Sequence, residues 1–545
     1  MKSQPTESDL AAAAASAEEP AMMKLDDTPM SDIIDALASG RFTATALTKG
    51  YLARIEAHDR AGPMLNSVRE LNPDALTIAG KLDDTKPSAK RPLAGIPILV
   101  KDNIATGDKQ PTTAGSLALE GARAKDDATV VKLLRGAGAV ILGKANLTEF
   151  ANMLAIDMPA GYSSLGGQVK NPYAPTLMDD RGVPIVLPGS SSSGSAVAVA
   201  AGLCAASIGT ETSGSLLYPA SQNGLVTVKP TVGLISRAGI VPISHSQDTA
   251  GPMTRTVRDA ALLLNVLAAK DPLDPATQRQ RRPVDYTADL AHDAMKGARI
   301  GVPSDPADPL NDCYYGKLPP KWAKVMADAI KVLEDLGAVV VRASMPTAGW
   351  IGGPGTTMAV LNRNPLSRNK GNPANPPIVF LYELKRDLNL YLKDWATHTS
   401  IKTIADIVAF NEANADKALR FGQDLFLAAN ITKGDLSERE YKSARAMDLL
   451  AAKTRGMDAY MNQHTLDAVL FAGSTGAAIA AKAGYPSVMV PGGFISGTVD
   501  KDTPDYPLGV TIAGRAWSEH KLLRLGYAFE QASHMRRPPP LPWGQ

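Results

Sequence analysis

The sequence has 545 residues, 44% of them hydrophobic, 21% charged and only 5% aromatic, with a formal net charge of +2. That length suffices for a large core of ordinary globular composition. The near-neutral charge leaves no basic footprint for nucleic acid, and no apolar run reaches the ~18–20 residues that span a bilayer.

Residues 1–24 contain the run Ala11-Ala12-Ala13-Ala14-Ala15 preceded by Glu7 and Asp9, which lacks the positive start and strongly apolar stretch of a secretory signal. They read as a disordered extension before a single domain over 25–545, with a cytoplasmic location expected and a trimmed leader with a periplasmic location as the alternative. Order is predicted to begin at Ser31, an N-cap for a helix ending at Gly40. A second helix carries Leu47, Tyr51, Leu52 and Ile55. Ile96-Pro97-Ile98-Leu99-Val100 reads as a buried strand running into Lys101-Asp102-Asn103. A helix bearing Val130, Val131, Leu133 and Leu134 then ends at Gly136 and Gly138, before the strand Ala139-Val140-Ile141-Leu142. The same order recurs with a helix over 325–336, Gly337 and the strand Ala338-Val339-Val340-Val341. This alternation predicts an α/β fold, a sheet covered by helices on both faces. Gly, Pro and Asn crowd residues 352–378, opening a helical insertion that extends to about residue 460. Strand patterns return at Asp467-Ala468-Val469-Leu470-Phe471, Ser487-Val488-Met489-Val490 and Gly509-Val510-Thr511-Ile512.

The chemistry concentrates in residues 188–219. Pro188-Gly189-Ser190-Ser191-Ser192-Ser193-Gly194-Ser195 precedes a compact apolar run, and Gly209-Thr210-Glu211-Thr212-Ser213-Gly214-Ser215 follows it. Gly/Ser clusters are commonly linkers. Here they flank a packed apolar helix, an arrangement that can set two loops side by side at a sheet edge. No phosphate-loop or dinucleotide-binding glycine pattern is present. A Ser-His-Asp triad fits poorly: there is no Gly-x-Ser-x-Gly elbow, and of the seven histidines only His245 stands in a dense motif. A serine nucleophile here needs another base. Cys204 reads as a small buried hydrophobe, and with Cys313 it offers no metal-ligand spacing. The pairs Asp126-Asp127 and Asp179-Asp180 read as turn residues. No metal or cofactor is expected.

These segments resemble the two halves of the amidase signature. The register fixed by Gly194-Ser195-Ala196 and Gly214-Ser215 aligns Ser191 with the family's bridging serine and Ser215, 24 positions on, with its nucleophile. Gly95-Ile96-Pro97-Ile98-Leu99-Val100-Lys101-Asp102 is similar to the strand that carries the family's lysine. Further resemblance lies in Val228-Lys229-Pro230-Thr231, Ser246-Gln247-Asp248-Thr249-Ala250-Gly251-Pro252, Ala483-Gly484-Tyr485-Pro486 and Trp517-Ser518-Glu519, and among subgroups it is greatest to bacterial peptide amidases. It covers about 30–300 and 465–535, with a signature core near 85–265 and the insertion at about 352–460.

The resemblance implies a large mixed twisted sheet flanked by helices. It implies a Ser-Ser-Lys triad of Ser215, Ser191 and Lys101, an oxyanion hole from the N–H groups of Thr212, Ser213, Gly214 and Ser215, and supporting roles for Ser192 and Glu211. In the family the bridging serine follows a cis peptide bond. Three departures stand out: Ser190 in place of Gly, Ser213 in place of Gly or Asp, and a shorter 474–481 segment. The implied activity is hydrolysis of C-terminal peptide amides or similar small amides. Aryl amides, carbamates or esters are the nearest alternative, with the amidase component of an amidotransferase or an inactive scaffold behind them. The expected partner is the amide or amidated peptide itself, with no nucleic acid or membrane. A monomer or homodimer is expected. The 352–378 loop and the insertion are expected to line the pockets, with Tyr382, Phe410 and Phe421 as candidates, although aromatics at helical spacing also serve as core.

Overall fold

The structure, a computed structural model, describes residues 25, 27–280, 284–308, 312–348, 378–496 and 504–541. The expected extension over 1–24 and, save for Ile378, the loop expected over 352–378 lie outside the described residues; Ile378 begins a helix.

Among the described residues the largest sheet has eleven strands. Their spatial order is Val68–Leu71, Val140–Ala145, Pro97–Lys101, Ala206–Glu211, Thr249–Thr254, Val226–Lys229, Ser487–Ile495, Tyr506–Ala513, Ala468–Ala472, Arg299–Val302 and Val339–Arg342. Pro97–Lys101 pairs in parallel with both Val140–Ala145 and Ala206–Glu211, whereas the pairings from Ala206–Glu211 across to Ala468–Ala472 are antiparallel. The sheet is therefore mixed, and the strands at its heart are buried along their whole length, as continuous apolar runs require when helices cover both faces.

The helix Met30–Ala38 begins one residue before the expected cap. Pro29 stands at its N-cap and offers no side-chain bond. The carboxylate of Asp259 instead accepts the N–H groups of Met30 and Ser31, each at 2.8 Å, a cap supplied from a distant segment that no local pattern announces.

The helix Ser193–Ala200 is buried at every position. Its small side chains permit this, and Gly194 shows how closely it packs. A Cβ there would lie 2.4 Å from the carbonyl oxygens of Asn146 and Ser67, so only glycine fits. The insertion forms the helices Ile378–Asp394, Ile404–Ala413, Asp424–Asn430 and Arg439–Asp448. It builds a second core with Phe150, Met153, Leu154 and Ile243 from the signature region. Phe150 and Phe426 meet there with ring centroids 4.6 Å apart.

Candidate active site

Lys101 ends the strand Pro97–Lys101, and Thr210 lies near the end of its parallel neighbour. Carboxyl ends of adjacent parallel strands are where open α/β sheets gather functional groups. Lys101 is fully buried, and its Nζ lies 2.7 Å from Ser191 Oγ, 3.0 Å from Ser192 Oγ and 2.9 Å from Thr210 Oγ1. Burial penalises the ammonium and brings Lys101 down to about 7, against the opposing pull of the Asp248 and Glu211 charges. A lysine in that state can take a proton from a hydroxyl at neutral pH.

The Ser190–Ser191 peptide bond is cis, as the resemblance to the amidase signature implies. Ser192 Oγ donates to the Thr210 carbonyl (2.9 Å) and accepts from the Thr210 N–H (3.2 Å), so the first serine loop is fastened to the strand leading into the second. The Ser192 N–H also donates to the Ser215 carbonyl at 3.3 Å. Ser215 lines an open cavity of about 540 Å³ together with Ser190, Thr212, Ser213 and Gly214. Its hydroxyl has no hydrogen-bond partner among the described residues; the structure thus joins Lys101 to Ser191 but leaves the Ser191 and Ser215 hydroxyls unbonded to each other.

The turn at 212–215 leaves several main-chain donors unused. Gly214 has φ +87°, a conformation that glycine adopts at no steric cost. Among the described residues, the N–H groups of Thr212, Ser213, Gly214 and Ser215 donate no hydrogen bond. Glu211 accepts from the N–H groups of Leu216 (2.8 Å) and Leu217 (3.1 Å), so it ties the turn to the helix Leu217–Gln222 that follows. Main-chain N–H groups left free beside a serine hydroxyl are the kind of donor that can stabilise an alkoxide-like oxygen.

Sequence reasoning missed several residues here. Thr210 contacts Lys101 directly, and Asn103 Nδ2 donates to Thr210 Oγ1 at 3.0 Å. Asp248 accepts from Thr212 Oγ1 at 2.5 Å; burial, only partly offset by its hydrogen bonds, raises its carboxyl to about 6. The cavity is walled by Met153, Ile156, Tyr218, Ile243, Phe380 and Leu425. The suggested wall residues Tyr382, Phe410 and Phe421 are not among its lining and pack against the second core instead. Tyr382 turns toward the helix Arg439–Asp448 and donates to Glu440 at 2.7 Å, which is the flank of its helix away from Phe380.

One group with metal-ligand atoms within 4.8 Å of one another occurs among the described residues: His245, Glu383 and Asp387. Its carboxylates are already engaged. Glu383 accepts from Ser244, Ser246 and Tyr441, and Asp387 from the main-chain N–H and Nδ1 of His245. Burial disfavours the imidazolium, but the neighbouring Asp387 and Glu383 outweigh it and raise His245. This donor set is a hydrogen-bond cluster rather than a vacant coordination shell.

The family model for Amidase matches residues 46–523. The chain belongs to the amidase family. This amidase is 38% identical to a probable amidase of Arabidopsis thaliana, over 94% of this chain and 92% of that protein. It is 34% identical to a glutamyl-tRNA(Gln) amidotransferase component of Chloroflexus aurantiacus, over 92% and 96%. Among solved structures, the native peptide amidase from Stenotrophomonas maltophilia superposes with a TM-score of 0.80 at 40% identity, covering 94% of this amidase and 99% of that chain. The protein is thus a hydrolase acting on carbon–nitrogen bonds, and no helix among its described residues is long and apolar enough to cross a membrane.

Proposed function

We propose that this amidase hydrolyses C-terminal peptide amides or similar small uncharged amides through an acyl-enzyme on Ser215. The observation that carries the reading is the buried Lys101, 2.7 Å from Ser191, beside a serine turn whose N–H groups are undonated. Neutral Lys101 takes the proton of Ser191, Ser191 takes that of Ser215, and Ser215 Oγ adds to the amide carbonyl carbon. The carbonyl oxygen becomes an oxyanion held by the N–H groups of 212–215, each such donor being worth ~2.7–4 kcal/mol of barrier. The same relay returns a proton to the leaving nitrogen as the C–N bond breaks. Water then attacks the ester, and Ser215 recovers its proton. Ser192 and Glu211 hold the two loops in place. The Ser191–Ser215 hydrogen bond that this route needs forms with substrate bound, as catalytic contacts often tighten only in the complex.

The cavity wall supports an apolar acyl group. Among the described residues no charged side chain lines it, so a charged acyl group would find no opposite charge in the wall. The likeness to a peptide amidase favours a peptide-like acyl group. An aromatic acyl group in an aryl amide, carbamate or ester suits the same apolar wall, which makes it the second reading. The test is a panel of an N-blocked dipeptide amide, an aryl anilide, an aryl carbamate and glutamine. Preferential release of ammonia from the dipeptide amide is the expected result. Turnover of the aryl substrates alone would install the second reading, and turnover of glutamine alone would favour an amidotransferase role.

A further inference from the structure

The helical insertion reaches the oxyanion turn through a chain of hydrogen bonds. Thr212 is held from one side by the loop 243–248: its hydroxyl donates to Asp248 Oδ1 at 2.5 Å, and its carbonyl accepts from Gln247 Nε2 at 3.1 Å. The other oxygen of Asp248 accepts the N–H groups of Ile243 and Ser244, each at 2.8 Å, so loop and turn share one carboxylate. The loop is gripped from outside by the helix Ile378–Asp394. Glu383, wholly buried, accepts from Ser244 Oγ, from the Ser246 N–H at 3.1 Å and Oγ at 2.5 Å, and from Tyr441 Oη at 2.7 Å. One turn on, Asp387 accepts the His245 N–H at 3.0 Å and Nδ1 at 2.8 Å.

Phe380, Glu383 and Asp387 recur at helical spacing, so they share one face of the helix. Phe380 and Ile243 both line the cavity and belong to the same hydrophobic core. The helix that grips the loop and the loop itself therefore both contribute to the cavity wall. A buried carboxylate with several donors costs a great deal to leave partly unsatisfied, and this one joins the insertion to a loop that ends on the oxyanion turn.

We propose that Glu383 is a positioning residue for the amidase reaction: by fixing the 243–248 loop from the insertion, it sets Thr212 and hence the oxyanion turn. The proposal rests on the reading of residues 212–215 as the oxyanion hole. It gives the insertion a part in transition-state binding, beyond that of a wall for the acyl group.

The test compares wild type with Glu383→Gln and Ser246→Ala, using an N-blocked dipeptide amide as substrate and the corresponding peptide aldehyde as a probe. The aldehyde carbon bonds to the nucleophilic serine oxygen, and the resulting hemiacetal oxygen sits in the oxyanion turn. Glu383→Gln is expected to lower kcat tenfold or more, with KM within about twofold, and to weaken the aldehyde by the same factor as kcat/KM. Ser246→Ala, which leaves the carboxylate in place and removes one donor, is expected to show the same proportional losses at a few-fold. If Glu383→Gln fails to fold, the Ser246→Ala measurements alone decide. Overturning results are wild-type kcat and aldehyde affinity in a folded Glu383→Gln or in Ser246→Ala, or a change confined to KM. A separate arm with Ser215→Ala distinguishes failure of the underlying reading. If that variant still hydrolyses the amide, the nucleophile is misassigned, whatever Glu383 does.

Discussion

Lys101 must be unprotonated to act as a base, and the protein arranges this by enclosing it rather than by placing a cation beside it. Because burial holds it at about 7 rather than 10.5, its neutral fraction grows as pH rises through 7. The kcat/KM profile is therefore expected to climb from pH 6 to 8 and then level off. A flat profile over that range would remove Lys101 from the role. Replacing it by Met should cost at least ~100-fold in kcat, the scale of a lost general base. Thr210→Val removes one of the contacts that orient the amine, and a loss of about tenfold in kcat at unchanged KM is expected, the effect of one hydrogen bond. Ser191 and Ser215 could be singled out in the sequence because they stand in runs of Gly and Ser, and Lys101 because it closes the Gly95-Ile96-Pro97-Ile98-Leu99-Val100 strand pattern; their catalytic roles belong to the proposed function. Thr210 could not, since a threonine inside a strand pattern carries no local sign that its hydroxyl meets a lysine 109 residues earlier.

At the scale of elements, the helix Ser193–Ala200 and the turn after Ala206–Glu211 make demands that single substitutions can probe. Gly194→Ala drives a methyl into two backbone carbonyls, so a loss of ~3 kcal/mol or more in urea unfolding is expected, at the upper end of overpacking. Gly214→Ala meets nothing closer than 3.6 Å and should cost only the left-handed strain of ~1–2 kcal/mol, while activity falls further because the turn's N–H groups shift. Equal losses of stability in the two variants would contradict this account. The helix and strand alternation was readable from glycine stops and apolar runs, and so was the presence of a helical insertion. Which face of the insertion meets the site was not. The pattern around 378–394 has apolar residues on several sides, and only packing selects Phe380 for the cavity while sending Tyr382 toward Glu440. The cap that Asp259 gives to Met30–Ala38 was likewise invisible, being a contact between distant segments.

Across the whole molecule, buried lysines tie stability to pH. Besides Lys101, Lys144 and Lys229 are each brought by burial to about 8. Each therefore holds fewer protons folded than unfolded between about 8 and 10.5, and in that window its contribution to stability rises with pH. Lys144→Met should remove its share, so the gain in melting temperature over wild type is expected to shrink as pH goes from about 8 to about 10. A constant or growing difference would mean that Lys144 is not held neutral. Trp395 packs against both the core of the sheet and the core of the insertion, and the serine turn lines a cavity that residues of both cores help to wall. Acylation of Ser215 during turnover can be read by acid quenching in the steady state with an activated ester of the acyl group, followed by intact-mass analysis and peptide mapping. One added acyl group is expected on the peptide containing Ser215, absent from Ser215→Ala together with turnover; an acyl group mapped to another residue, or undiminished hydrolysis by Ser215→Ala, would rule out Ser215 as the nucleophile.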